Sequence, residues 1–332
     1  MTRVRSGLHV VVSVHDPPMW TLPDREVTRI IEALPDDVVV SAREPEEKQE
    51  ALAQADVLVT TRLTAEESAL ASRLKWIHTT AVGLGGLLSP QLAGRDVVIT
   101  NSRGVHSESI AEHAIALALA LRRALPAAVA RQAARDWAQV ELSTRTARPL
   151  SSTRMLVVGL GAIGAKVAAM AAGLGMTVTG VRRRIDLPVP PGVDEVLPAS
   201  GLVEGLRTAD VVVLAAPSTY ETKALVGAAE LDVMRPTAVI ANIARGRLID
   251  HEALVAALRA GRLAGAGLDA LPREPLPPDD PLWAAPNLLI SPHIAAFAGD
   301  YWAPAVDLFL ENMARYKRDE PLLNVVDKHR GY

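Results

Sequence analysis

The chain has 332 residues, 49% of them hydrophobic and 22% charged, a globular composition with enough material for two domains of ordinary size. A formal net charge of -3 gives no electrostatic reason to expect nucleic acid or an anionic membrane surface as a partner, and no charge-free apolar run approaches a membrane span. Cysteine is absent, which excludes disulfides, thiolate metal sites and a cysteine nucleophile, and a soluble cytoplasmic protein is the expectation.

In chain order, His9–Val14 reads as a first strand that stops at Asp16-Pro17-Pro18, too short and too interrupted for a signal peptide. Pro23–Leu34 has helical spacing, Asp37–Val40 is a short strand and Glu46–Gln54 a helix. Val57–Thr60, Trp76–Thr80 and Val97–Thr100 continue the series of short apolar strands. Strands alternating with helical segments predict a small parallel α/β domain. The glycine-rich stretch Thr79–Gly86 leaves one of these strands at its carboxyl end, where ligands bind in open α/β sheets.

Ser107–Arg122 is a long Ala/Leu helix, apolar on most faces although it carries Glu112 and His113, and so is expected to be buried between domains or between subunits. Ala124–Pro149 begins as helix, with Trp137 placed to overhang a neighbour. From Met155 the alternation restarts, with strands at Met155–Val158, Met176–Val181, Asp210–Ala215, Ala238–Asn242, Gly265–Leu268 and Leu288–Ser291 and a helix at Asp250–Ala260. Tyr301–Arg318 is amphipathic and reads as a helix that returns to pack on the N-terminal domain. The Pro-rich Leu187–Pro191 and Leu271–Pro281 read as loops.

The first strand of this second series opens the most informative stretch. Gly159, Gly161 and Gly164 form G-x-G-x-x-G between that strand and an Ala-rich helix over Ala165–Leu174. The first glycine allows the tight turn, the second lets a pyrophosphate approach the backbone, and the third lets helix and sheet pack closely. The helix N-terminus offers free N–H groups and the positive end of its dipole to the phosphates. The glycines alone specify no more than a tight turn; their place between strand and helix, with another strand following, points to a dinucleotide.

Three further residues stand at the ends of predicted strands: Arg245 before Gly246, Glu274 before Pro275, and His293 in Ser291-Pro-His-Ile-Ala295. Singly, each has a plain structural reading, as a surface turn, a solvated loop and a satisfied core histidine. Their contexts together are specific. With the Gly159–Gly164 fingerprint, Ala215-Ala-Pro217, Asn242-Ile-Ala-Arg-Gly-Arg-Leu-Ile-Asp250, Gly267-Leu-Asp-Ala270, Glu274-Pro-Leu276, Pro281-Leu-Trp283 and Pro286–Ala295 in order, the chain resembles the D-isomer-specific 2-hydroxyacid dehydrogenase family over essentially its full length.

That resemblance implies an α/β fold of two doubly wound parallel-sheet domains. A Rossmann cofactor domain (101–297) would be inserted in a smaller flavodoxin-like substrate domain (1–100, completed by 298–332). It implies that Arg245 holds the substrate carboxylate and polarises the 2-oxo group. His293 would be the general acid in reduction and the base in oxidation. Glu274 would orient its imidazole and favour the protonated form. Cofactor contacts are implied at Leu160, Gly161, Ala162, Ile163, Gly164, Ala216, Pro217, Ile243, Ala244, Arg245, Asp269, His293 and Ala295, and substrate contacts at Val82, Gly83, Arg245 and His293, with no metal. Val82 and Gly83 would cradle the carboxylate by backbone N–H groups, in a loop that departs from the family's commoner pattern of an Asp or Asn soon after the Gly.

The second strand runs into Arg182-Arg-Arg184, where an NAD enzyme of this type carries Asp or Glu; the nearest acid, Asp186, lies beyond the strand. Arg182, Arg183 and Arg184 are expected to bind a 2′-phosphate, so NADP is the preferred cofactor and NAD the alternative. An NADP-linked member would reduce glyoxylate, hydroxypyruvate or a bulkier 2-oxo acid, with Trp302 and Leu84–Leu88 as guesses for the side-chain pocket. The resemblance further implies a homodimer joined through Ser107–Arg122. Formate dehydrogenases fit less well, since they carry Gln where this chain has Glu274. A phosphite-type dehydrogenase shares all three residues, and a corepressor-like redox sensor on the same fold is the non-enzymatic alternative.

Overall fold

Val10–Val12 and Val57–Val59 are at most 1% exposed, as strands must be when helices cover both faces of a parallel sheet. The computed structural model describes residues 5–15, 20–84, 86–144 and 148–328; Asp16-Pro17-Pro18, where the first strand is expected to stop, lies outside them, as does Gly85 of the glycine-rich loop. The chain divides into two units, Met1–Val105 with Ala298–Tyr332, and His106–Phe297, so the second interrupts the first in sequence.

The first unit runs β1 (His9–Ser13), α1 (Asp24–Ala33), β2 (Val38–Ser41), α2 (Pro45–Leu52), β3 (Val57–Thr60), α3 (Ala65–Leu70), β4 (Trp76–Thr79), α4 (Pro90–Ala93) and β5 (Val98–Asn101). The strands are all parallel in the order β2-β1-β3-β4-β5, the flavodoxin-like arrangement. Local chemistry sets the helix starts. Thr64 accepts from the Glu67 N–H while Glu67 reaches back to the Thr64 N–H, a reciprocal cap on α3.

The second unit contains α5 (Ser107–Arg122), α6 (Leu125–Ala133), α7 (Gln139–Ser143), β6 (Arg154–Val158), α8 (Ala162–Gly173), β7 (Thr177–Val181), β8 (Glu195–Leu197), α9 (Leu202–Thr208), β9 (Val211–Leu214), α10 (Ala228–Val233), β10 (Val239–Asn242), α11 (His251–Arg259), β11 (Gly265–Leu268) and β12 (Leu288–Ile290). Its parallel sheet has the order β12-β11-β10-β9-β6-β7-β8, a Rossmann arrangement whose order reverses between β6 and β9. One core cluster lies on each face of it, and α5 and α8 supply much of the cluster that includes Met155 and Val157. Strand β8 has no sequence signal, because its three residues form an edge that is only partly buried. The strand expected over Asp210–Ala215 is trimmed to Val211–Leu214, since the Asp210 carboxylate instead accepts from the Arg154 N–H and pairs with Arg235.

The apolar α5 is buried largely within its own unit, through Ile110, Ala111, Ala114, Ile115, Leu117 and Ala118. Among the described residues no single helix is long and apolar enough to cross a membrane. The pair α5 and α6 has the length and composition for it, but is bent by 66°. After the second unit, α12 (Trp302–Lys317) completes the first. Asn312, fully buried, exchanges two hydrogen bonds with the Leu323 backbone (3.1 and 2.7 Å), and Val326 N–H then donates to Ile99 at 2.8 Å.

Candidate active site

The register of the second sheet brings the chemistry-bearing residues to one edge. Asn242, Leu268 and Ile290 are mutual partners across β10, β11 and β12, so the segments that follow all leave at the carboxyl end. Arg245, Asp269, Glu274 and His293 lie on those segments.

At the switch point, Gly159 has φ +99°, and a Cβ there would lie 2.7 Å from the Ala216 backbone nitrogen. Only glycine lets the loop after β6 pass the Ala216–Pro217 segment that follows β9. A Cβ on Gly164 would collide with the Gly159 carbonyl, which holds α8 tight against the turn. Gly161 differs: its φ is ordinary, and a Cβ there would meet nothing within 4 Å. That glycine is the N-cap of α8, with no side-chain cap, and Gly161 and Ala162 are exposed. Close packing therefore explains Gly159 and Gly164, whereas Gly161 guards open space in front of uncapped helix N–H groups, a site suited to an anion. Leu160 turns against Gly180 of β7, where a Cβ would strike its side chain. The residues present fit a dinucleotide.

Arg182 is the first residue after β7. Its guanidinium donates to the Leu187 and Pro188 carbonyls, so it braces the following turn. Arg183 pairs with Glu221 (3.2 Å) and Arg184 with Asp186 (3.0 Å), all four side chains more than half exposed. Arg184 holds the Asp186 carboxyl below its usual range, chiefly by its hydrogen bond. No carboxylate directly follows the strand.

After β10, the Asn242 side chain folds the backbone into a turn: its oxygen accepts from the Ala244 N–H (3.1 Å) and its nitrogen donates to the Arg245 carbonyl (2.9 Å). Ile243 is buried, and Arg245 Nη1 donates to the Ala244 carbonyl at 2.7 Å. A Cβ on Gly246 would collide with the Leu271–Pro272 backbone, so the Arg245 turn is packed onto the segment that leads to Glu274.

His293 Nδ1 lies 2.6 Å from Glu274 Oε2, both side chains a little over a third exposed. The other Glu274 oxygen accepts from the Leu271 N–H at 2.8 Å. Burial pushes the Glu274 carboxyl upward, but the bonds from His293 and Leu271 and the charges of His293 and Arg245 outweigh it, leaving the group below its ordinary value. The carboxylate thus fixes one imidazole nitrogen and leaves Nε2 to act elsewhere. Asp269, 2% exposed, accepts from Ser291 Oγ (2.7 Å), the Ile294 N–H (2.9 Å) and the Ala295 N–H (3.1 Å). Ser291 Oγ in turn lies 2.8 Å from His113 Nε2 on α5. Sequence reasoning gave no role to Asn242, Ser291 or His113; the one visible signal was a histidine on a helix that is apolar on most faces.

Val82 and Gly83 follow β4 at the carboxyl end of the first sheet, where the Asn101 side chain donates to the Val82 carbonyl at 3.0 Å. Trp302 opens α12 in the first unit, is 8% exposed and stacks edge-on against Tyr301, and Leu84 and Leu87 are buried in the core of that unit.

Residues 115–295 match the model of the D-isomer specific 2-hydroxyacid dehydrogenase, NAD binding domain. The chain is 32% identical over 315 residues to a glyoxylate reductase of Korarchaeum cryptofilum, covering 92% of this chain and 94% of that one. A D-isomer specific 2-hydroxyacid dehydrogenase from Xanthobacter autotrophicus, solved in complex with NADPH and MES, superimposes with a TM-score of 0.84 at 29% identity, over 99% of this chain and all of that one. An NADPH-dependent glyoxylate/hydroxypyruvate reductase from Sinorhizobium meliloti, solved with NADP and sulfate, gives 0.83 at 25% identity, over 97% and 99%. The chain belongs to the D-isomer-specific 2-hydroxyacid dehydrogenase family. It is accordingly an oxidoreductase with a nicotinamide-binding domain.

Proposed function

We propose that the protein is an NADP(H)-linked 2-oxo acid reductase acting on a small substrate of the glyoxylate or hydroxypyruvate kind. The observation that carries this reading is the 2.6 Å His293–Glu274 pair, set at the same sheet edge as Arg245. Arg245 binds the substrate carboxylate as a planar fork and draws charge from the 2-oxo oxygen. Glu274 holds the His293 ring with Nε2 free, so that nitrogen can deliver a proton to the oxygen in reduction and take it back in oxidation. The nicotinamide supplies hydride to carbon 2 when bound. Leu160–Gly164 present backbone to the pyrophosphate, and Ala216–Pro217, Ile243–Ala244, Asp269 and Ala295 complete the contacts. Val82 and Gly83 are proposed as substrate contacts because their loop leaves the carboxyl end of the first sheet.

The NADP preference is supported by three arginines directly after β7 with no acid at the strand end, and by the NADPH-bound structures of relatives. Arg182 shapes the turn while Arg183 and Arg184 carry exposed guanidinium groups paired with Glu221 and Asp186, in ion pairs of the kind that a phosphate displaces at little cost. A homodimer is part of the proposal, through the outward residues of α5 such as Glu108, Glu112 and Ala116; a monomer by light scattering at micromolar concentration would remove it. Initial rates with NADPH and NADH across glyoxylate, hydroxypyruvate, pyruvate and phenylpyruvate test the whole reading. Turnover that vanishes in His293→Ala while nucleotide binding persists is the expected result. Activity of that variant within about tenfold of the parent chain would overturn the assignment.

A further inference from the structure

The His293 loop is held in an unfavourable shape. His293 has φ +56°, a left-handed conformation that costs a side-chain-bearing residue energy and persists only where the surroundings impose it. Three successive N–H groups of that loop reach Asp269, the first of them shared with the Ser291 carbonyl. His293 N–H is shared between the Ser291 (2.9 Å) and Asp269 (3.0 Å) carbonyls, while Ile294 N–H donates to Asp269 Oδ1 and Ala295 N–H to Oδ2. The two N–H groups that follow His293 therefore depend on where the Asp269 carboxylate points.

Hydrogen inventory shows what points it. Ser291 has a single hydroxyl hydrogen, and that hydrogen is spent on Asp269 Oδ1 at 2.7 Å. At the 2.8 Å contact between Ser291 Oγ and His113 Nε2, the imidazole must then be the donor. The bonds run one way: His113 Nε2–H to Ser291 Oγ, Ser291 O–H to Asp269 Oδ1. His113 Nε2 also stands 3.4 Å from that same carboxylate oxygen. Ser291 is 8% exposed and Asp269 2%, so little water reaches them to replace a lost donor. His113 itself is anchored on α5, whose neighbours Ala111, Ala114 and Ile115 are buried in the core beside β10.

We infer that His113 is a positioning residue for catalysis: by donating through Ser291 to Asp269, it fixes the left-handed loop that aims His293. It touches neither substrate nor reacting atoms, and its effect is on the orientation of the proton-transferring ring. The inference rests on the role proposed above for His293.

The test compares His113→Gln, His113→Asn and His113→Ala, with Ser291→Ala, the His113→Ala/Ser291→Ala double variant and His293→Ala alongside. Glutamine places its amide nitrogen near the position of Nε2 and can still donate; asparagine reaches only as far as Nδ1 and cannot. Rates of NADPH-dependent glyoxylate reduction are expressed per NADPH-binding site, which removes any misfolded fraction. Expected is a fall in kcat of about tenfold for His113→Ala and His113→Asn, with KM changed by less than about threefold and His113→Gln within about threefold of the parent. The double variant should be no slower than the worse single, because both changes break one chain of bonds. Equal behaviour of His113→Gln and His113→Asn, or losses that multiply in the double variant, would overturn the inference. If His293→Ala is inactive while every His113 variant keeps full kcat, this inference alone fails. If His293→Ala stays active, the His293 reading beneath it fails.

Discussion

Gly161→Ala separates a nucleotide-binding turn from a merely tight one. The added methyl meets no atom within 4 Å, and Gly161 has φ -78°, open to alanine, so the fold has no steric reason to resist it. Alanine is a somewhat poorer N-cap than glycine, a cost of no more than about 1 kcal/mol, or about 2–4 °C in Tm. The methyl nevertheless occupies the space in front of the uncapped N–H groups of α8, where a pyrophosphate has to come within hydrogen-bonding distance. Losing one charge-assisted hydrogen bond costs about 1.5–3 kcal/mol, which weakens the nucleotide Kd by about tenfold to a hundredfold. Gly164→Ala is the mirror case, since its methyl would collide with the Gly159 carbonyl, and it should lower Tm or prevent folding before binding can be asked about. Calorimetric titration with NADPH and a thermal melt on the same samples read both quantities. A Gly161→Ala variant that binds NADPH within about twofold of the parent chain would refute the placement of the phosphates.

Arg182→Asp should reverse or abolish an NADPH preference, by about tenfold or more in the ratio of kcat/KM for the two cofactors, because it removes the brace on the Leu187–Pro188 turn and sets a carboxylate against the phosphate; an unchanged ratio in steady-state assays would discard the arginine argument. Glu274→Gln keeps an acceptor for His293 but removes the negative charge 2.6 Å from its ring, and kcat for 2-oxo acid reduction should fall by about tenfold to a hundredfold with KM far less affected; a variant with unaltered kcat would show that orientation alone suffices. Fully buried His78, whose Nδ1 lies 2.9 Å from Thr100 Oγ1, is lowered by burial to about 3 from 6.5. Because the folded value lies below the unfolded one, its stabilising contribution is complete above pH 6.5 and is lost as pH falls towards 3, about 2 kcal/mol of it by pH 5. Urea unfolding followed by fluorescence, to which Trp76 at 6.2 Å from the His78 ring contributes, should show His78→Asn losing less stability than the parent between pH 7.5 and 5, and an equal loss would refute the assignment.

Much of the architecture was legible because its signals are local. Runs such as Val57–Thr60 and Gly265–Leu268 are short, apolar and bounded by turn residues, and the strands occupy those residues in the structure. Ser107–Arg122 likewise spans the helix its composition predicts. Strand β8 escaped notice because Glu195-Val-Leu197 becomes a strand only by joining β7, through a ladder with no counterpart in its own periodicity. The apolar faces of α5 announced burial, but composition does not distinguish burial within the unit from burial against a partner. The packing of Ile110, Ala114 and Leu117 into the core beside β10 supplies the part of the answer that lies within the unit.

The site divides along the same line. Arg245, Glu274 and His293 stood out as candidates because each sits in a recognisable local context, and the shared register of β10, β11 and β12 explains how residues separated in sequence leave the sheet at one edge. What escaped were the residues that hold those three in place. Asn242 acts through bonds to its own turn, and Ser291 and His113 lie 178 residues apart, joined only after α5 has folded onto the sheet. A chemical group can be read from its neighbours in the chain, whereas the group that aims it is chosen by neighbours in space. The left-handed backbone at His293 is where the two meet: a motif places the histidine there, and the bonds of its loop's N–H groups to Asp269 and to the Ser291 carbonyl hold a conformation that its own residue type disfavours.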